Sequence, residues 1–204
     1  MNRNKLIIKN ILLKDLNLEE TLVLIKISFE TFIDKGIVPT ALNLTTEQLV
    51  EKKEYQTFSA FYENKLIGIL IYKINNNVCY IDKICIHPQY QSLGIGKILI
   101  SELFVECKML KIKKIWLYTF DYNRSIKFYE SLKFYKYSFK HNSDNYFSVV
   151  FCKYFNENKI RNHIFCLKYC IEKFLYKKVF FYNPSKMTAI GFLIKKIKNY
   201  VFKK

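Results

Sequence analysis

Gln91-Ser92-Leu93-Gly94-Ile95-Gly96-Lys97 separates a strongly apolar run, Val78 to His87, from a helical one, Ile98 to Lys108. A glycine turn between strand and helix exposes several backbone N–H groups at a helix N-terminus. That arrangement suits an anion, and a pyrophosphate in particular. The chain holds only five glycines in 204 residues, and two of them fall here, one residue apart. A glycine at 94 lets a phosphate approach the backbone closely, and one at 96 lets the helix pack near the strand. The competing reading is a plain tight turn.

Working outward, Lys5 to Leu13 reads as a first strand. Asn17 followed by Glu20 matches a helix start, with Asn as N-cap and Glu at the third position. The helix is predicted to run to about Ile33, with Leu18, Leu22, Ile25 and Phe29 on one stripe, until Gly36 and Pro39 break it. Thr45 or Thr46 caps a short helix to about Lys53. Thr57 to Tyr62 and Leu66 to Ile74 are strands around the Glu63-Asn64-Lys65 turn, and Asn75-Asn76-Asn77 is a second turn into Val78 to His87. After the glycine turn comes an amphipathic helix with Ile95, Ile98, Leu99 and Leu103 inward. Lys114 to Phe120 is a strand, Asn123 caps a helix ending near Lys133, and Tyr135 to Lys140 and Tyr146 to Phe155 are the last strands. This is a mixed α/β domain over residues 1–155, and the helix after the glycine turn crosses between two parallel strands.

Apolar residues make up 50% of the chain and aromatics 17%, ample for a folded core. The formal net charge is +17. Such a charge fits a polyanionic partner or a phosphate-rich cofactor. Compositional drift fits equally, since arginine occurs only at Arg3, Arg124 and Arg161 while lysine abounds. Residues 153–204 carry thirteen Lys and Arg against two Asp and Glu, so most of the excess lies in a basic extension, 156–204. There Ile160, Ile164, Leu167, Ile171 and Phe174, and later Met187, Ile190, Ile194, Ile197 and Val201, keep helical spacing. A helical hairpin on the domain or in a homodimer is expected, with adhesion to an anionic surface as the sharper alternative. The six cysteines form no CxxC pair and imply a reducing, cytoplasmic compartment. His163, Cys166 and Cys170 share a helix face but lack a fourth ligand, so no metal is expected. No apolar stretch approaches a membrane span, and no signal peptide is expected at the N-terminus.

These residues resemble the GCN5-related N-acetyltransferase superfamily. Its signature, Gln or Arg, two residues, Gly, one residue, Gly or Ala, is similar to Gln91-Ser92-Leu93-Gly94-Ile95-Gly96. Ile84-Cys85-Ile86-His87-Pro88 is similar to the end of the family's fourth strand. Asn123-Arg124-Ser125 through Phe128-Tyr129 to Lys133-Phe134 is similar to its second block, with Lys133 where the family has glycine. The resemblance covers about residues 5 to 155. It implies a mostly antiparallel sheet whose parallel strands four and five splay apart, and acetyl-CoA as co-substrate. It also implies that Ile84, Cys85 and Ile86 hold the pantetheine arm, that Gln91, Ser92, Leu93, Gly94, Ile95, Gly96 and Lys97 hold the pyrophosphate, and that Asn123 and Ser125 contact the cofactor.

The implied reaction is direct attack of a primary amine on the thioester. Tyr129 matches the family position that protonates the leaving thiolate; in a chain with sixteen tyrosines, a core aromatic is the competing role. Asp82, sharing a face with Tyr80, Ile84 and Ile86 by strand alternation, is a candidate base. Otherwise it is a strand charge paired to a lysine. Glu30 and Asp34, read as neighbours four apart on the first helix, would favour a cationic amine; otherwise they are helix surface. His87 is expected to shape the turn before Pro88. The acceptor, small amine or protein amine, is not specified. The alternative to an enzyme is a non-catalytic acetyl-CoA-binding or polyanion-binding module acting through its tail.

Overall fold

The computed structural model describes residues 5–141, 147–155 and 168–174. Strand β1 (Leu6–Leu12) leads to helix α1 (Leu18–Glu30) and the short α2 (Thr46–Val50). A meander follows: β2 (Gln56–Tyr62), β3 (Lys65–Asn75) and β4 (Val78–Ile86). Helix α3 (Ile95–Met109) precedes β5 (Lys114–Phe120), and helix α4 (Asn123–Ser131) precedes β6 (Tyr135–His141) and β7 (Phe147–Tyr154). The seven strands form one sheet in the order β1-β2-β3-β4-β5-β7-β6. β1 to β4 pair antiparallel, and β4 with β5 is parallel, so the expected α/β architecture is present. Among the described residues no helix is long and apolar enough to cross a membrane.

Local chemistry explains most of these boundaries. The Asn17 side chain accepts from Glu20 N at 3.0 Å and starts α1. Thr45 and Gln48 form a reciprocal capping box on α2. Glu63–Asn64 and Asn76–Asn77 all have positive φ, the geometry of two-residue hairpin turns. Helices α3 and α4 both end with a lysine in the left-handed region, Lys111 (φ 54) and Lys133 (φ 61). Behind them, Ile112 N donates to Cys107 O at 2.8 Å and Phe134 N to Tyr129 O at 3.1 Å. This six-to-one closure normally uses glycine.

Two expectations about helices need correction. α1 stops at Glu30, where Thr31 Oγ1 turns back to Ser28 O (2.9 Å), and Asp34 sits in a separate 3-10 turn, so Glu30 and Asp34 are not neighbours on one helix. The N-cap of α4 is Tyr122, and Asn123 is the first helical residue.

By packing, the chain divides into two units, residues 1–118 with 152–157, and 119–151 with 158–204. In the first, α1 and α2 cover one face of the meander, burying Leu24, Ile25 and Leu49 with Ile69, Ile71 and Cys85. α3 buries Ile95, Leu99, Leu103 and Cys107, and its Glu106 accepts from Tyr72 Oη and from Asn10 Nδ2 (3.1 Å). Burying each large apolar side chain contributes about 1.5–3 kcal/mol, so these stripes fix where both helices lie.

In the second unit, Tyr129 packs on Phe134 and Phe151, with ring centroids 5.8 and 5.6 Å away. Helical residues 168–174 lie on β6: Tyr169 meets Phe139, and Glu172 Oε2 accepts from Ser138 Oγ (2.6 Å) and Phe139 N (2.9 Å). Two residues of the expected apolar seam, Ile171 and Phe174, are 45% and 59% exposed. The buried carboxylate of Glu172, with two donors aimed at it, sets the rotation of this segment. The rest of the proposed hairpin lies outside the described residues, as do His163 and Cys166.

Candidate active site

β4 is the element on which the site is built, and it is irregular at one point. Its register with β3 runs Tyr72 to Ile81 and then Ile71 to Lys83, so Asp82 is an extra, bulged residue. The parallel ladder to β5 ends with the pair Ile81 and Leu117, one residue before the bulge. From Asp82 to Ile86 the β5-facing edge of the strand has no ladder partner among the described residues. A bulge bends its strand and increases local twist, which explains why pairing stops there.

The far end of this open segment is pinned from three directions. His87 N donates to Ile67 O at 2.9 Å. The Ile86 carbonyl accepts from Ser28 Oγ of α1 and from Gln91 Nε2, each at 3.1 Å. His87 Nδ1 accepts from Gln89 N (3.3 Å) and caps the single turn Pro88–Tyr90, so the side chain shapes the turn.

The turn itself is left-handed at Ser92 (φ 65) and Gly94 (φ 88). Gly94 is the N-cap of α3, and no side chain caps that helix. The N–H groups of Ile95 and Gly96 therefore point out of the helix start, at the positive end of its dipole. Nothing lies within 4 Å of where a Gly94 side chain would begin, so a ligand group has room there. Ser92, Leu93 and Lys97 are exposed, while Ile95 is buried and anchors the helix. Backbone donors with open space before them fit a phosphate-bearing co-substrate.

A glycine that the sequence did not single out makes this geometry possible. A Cβ on Gly68 of β3 would lie 2.8 Å from Ile86 Cδ1 and 3.2 Å from Ile95 Cγ2. The open end of β4 and the first turn of α3 thus meet over a position where any side chain would crowd both. Its isolation in an apolar run was the available signal. Ser28 gave none.

The remaining candidates are placed as follows. Asp82 is nearly buried (9% exposed), and its Oδ2 receives Lys52 Nζ and Lys83 Nζ, both at 2.8 Å. Burial alone would push this carboxyl up, but Lys83 and Lys52 outweigh it and hold it below the usual carboxylate range. Because of the bulge, strand alternation does not carry through Asp82. Ile84 and Ile86 are half-buried, and Cys85 faces the α1 core with its thiol pushed up by burial to about 12. Tyr129 is 5% exposed within its aromatic cluster. Asn123 and Ser125 occupy the first turn of α4, in the same unit as Tyr129. Glu30 and Asp34 are exposed.

Comparison with known proteins agrees with this arrangement. Residues 24–134 match the model of the acetyltransferase (GNAT) family. Similar solved structures include the ribosomal-protein-S18-alanine N-acetyltransferase from Escherichia coli, at 16% identity over 74% of this chain and 96% of that one, with a TM-score of 0.61. The PaiA N-acetyltransferase from Thermoplasma acidophilum, in complex with coenzyme A, is 20% identical over 71% and 97%, with a TM-score of 0.58. An N-acetyltransferase from Staphylococcus aureus Mu50 is 14% identical over 74% and 99%, with a TM-score of 0.57. No curated relative matches the sequence. At these identities the structures speak for the fold, and the family model, spanning more than half of the residues, speaks for descent. A strand that bulges and parts from its parallel neighbour, an uncapped helix behind a left-handed glycine and the match over residues 24–134 converge: the chain belongs to the acetyltransferase (GNAT) family and is an acyltransferase.

Proposed function

We propose that the protein is an acetyl-CoA-dependent N-acetyltransferase acting on a primary amine. The observation that carries this reading is the pairing of two ligand-ready backbone features: the open edge of β4 and the uncapped start of α3. The backbone N–H groups of Leu93 to Gly96 would hold the pyrophosphate, the Lys97 N–H being engaged by Gly94 O at 3.0 Å, with Gln91 tying the turn to Ile86. Backbone groups of Ile84 to Ile86 would pair with the amide-bearing arm as an added strand does, and an N–H of that edge would polarise the thioester carbonyl. By resemblance to the family, Asn123 and Ser125 are further candidates for cofactor contact.

Bound acetyl-CoA supplies the thioester. Transfer forms one C–N bond and breaks one C–S bond. The amine loses a proton to solvent, and the Tyr129 phenol supplies one to the departing sulfur. The Tyr129 ring packs on Phe134 and Phe151, as the competing core role also requires, so the kinetics of Tyr129→Phe separate the two. A covalent acyl-cysteine route through Cys85 is disfavoured, since that thiol is buried and stays protonated at neutral pH. Glu30 and Asp34 would draw a cationic amine towards the end of α1.

Calorimetry with coenzyme A tests the binding step: wild type is expected to bind and Gly94→Glu to lose affinity, and equal affinity in both would overturn it. A thiol-release screen over amines and peptides then identifies the acceptor. Tyr129→Phe is expected to lower kcat, and unchanged turnover across pH would remove Tyr129 from the mechanism.

A further inference from the structure

We infer that Asp82 is a positioning residue for acetyl transfer: held by Lys52 and Lys83, its carboxylate fixes the bulge at which β4 leaves β5 and so sets the open edge Ile84–Ile86. The inference rests on the acetyl-CoA reading given above. An extra residue in a ladder forfeits pairing and must be held by something else. Asp82 is that residue, and it follows the last pair of the β4–β5 ladder directly.

What holds it is ionic. Lys83 is the next residue along β4, and Lys52 comes from the turn after α2, thirty positions earlier in the chain. Both ammonium groups reach the same oxygen at 2.8 Å, and the three side chains are 9%, 13% and 26% exposed. In such shielded surroundings one charge cannot be removed without stranding the others. Lys52 also lies over the Tyr55 ring at 5.5 Å, so the turn after α2 is fixed at two points. The Tyr80 phenol and the Cys85 thiol also feel the Asp82 charge, and burial is the main reason both stay protonated. The same lock makes Asp82 a weak proton acceptor, because two cations stabilise its charged form. It therefore acts on the reaction through the backbone of β4.

The experiment uses the full chain with Asp82→Asn, Asp82→Glu and Lys52→Met. Coenzyme A affinity is read by calorimetry, kcat and KM for acetyl-CoA by thiol release, and the β4 amides by hydrogen exchange without ligand. Asp82→Asn is expected to raise the coenzyme A Kd and the acetyl-CoA KM about tenfold, a cost of about 1.4 kcal/mol. The pH profile of kcat should keep its shape, and exchange at residues 83–86 should quicken. Lys52→Met is expected to move the same way and Asp82→Glu to restore part of the loss. The inference is overturned if Asp82→Asn removes the acid limb of kcat with KM intact, which is the mark of a general base. Unchanged affinity and exchange in both Asp82→Asn and Lys52→Met overturn it too, and the lysine variant decides the matter if Asp82→Asn fails to fold. Wild type without affinity for coenzyme A would instead sink the acetyl-CoA reading, and the exchange data would still report on the bulge.

Discussion

Replacing Gly68 by alanine isolates the contact on which the site depends. The new methyl would sit 2.8 Å from Ile86 Cδ1, 3.2 Å from Ile95 Cγ2 and 3.5 Å from Ala60 Cβ. The first distance is a clash, though with the mobile end of a side chain. The second is a crowded contact with a buried β-branched residue that opens α3. Inserting a methyl into a packed site costs about 1–3 kcal/mol. Losing glycine's freedom in the unfolded chain returns about 0.4–1 kcal/mol. The net loss spans about 0–2.6 kcal/mol and centres on about 1.3 kcal/mol, which lowers Tm by about 3–5 °C for a chain of this size. Thermal unfolding by circular dichroism, with coenzyme A calorimetry alongside, reads both consequences. Shortening the neighbour as well, in Gly68→Ala with Ile86→Val, removes the clashing Cδ1. The double variant should recover part of the lost stability, and the two changes should be non-additive. If Gly68→Ala unfolds at or above the wild-type temperature, or if Ile86→Val merely adds its own loss, the claim that a side chain at this position crowds its neighbours is wrong.

Gly94→Ala meets no neighbour, so only its φ of 88° opposes it, and a loss of about 1–2 kcal/mol in chemical unfolding is expected; a loss above 3 kcal/mol would reveal a contact instead. Lys111→Gly and Lys133→Gly should each stabilise the protein, by about 0.5–1 kcal/mol, because both lysines occupy left-handed positions that glycine adopts freely, and unchanged urea midpoints would refute this. Asp82 has a lowered carboxyl pKa in the folded state, so the unfolded chain binds the extra proton. Its contribution is present above the ordinary carboxylate pKa of about 4 and is lost as pH falls through the folded value; Asp82→Asn should flatten the acid limb of a stability–pH curve. Glu172→Leu removes the acceptor of the Ser138 hydroxyl and the Phe139 amide, and truncation after Phe155 removes the whole segment; both should lower Tm if residues 168–174 cover β6.

What could be read from the sequence was what is decided locally. The two hairpin turns use Glu63-Asn64 and Asn76-Asn77, residues that tolerate positive φ or stand beside one that does, and the caps at Asn17 and Thr45 act within three residues. The glycine turn before α3 belonged to the same class, with its glycine pair and its apolar strand. What escaped was decided by partners distant in the chain. The Asp82 bulge is held by Lys52, so no period-two pattern within β4 announces it. Ser28 acquires its place only because Ile86 lies against α1. The rotation of residues 168–174 is set by β6 donors that look to Glu172, a residue that the apolar spacing of Ile171 and Phe174 does not single out. The end of α1 escaped for the opposite reason: Thr31 turning back on Ser28 is local, but a single threonine is a weak stop signal.

The Ile86 carbonyl, occupied by both Ser28 and Gln91, has a bearing on solubility. An unpaired strand edge invites another chain to add to it, and proteins commonly blunt such edges. With the Ile86 carbonyl satisfied twice over from within, a foreign strand finds one acceptor fewer at the end of β4, and only the short stretch before Ile86 stays open for pairing.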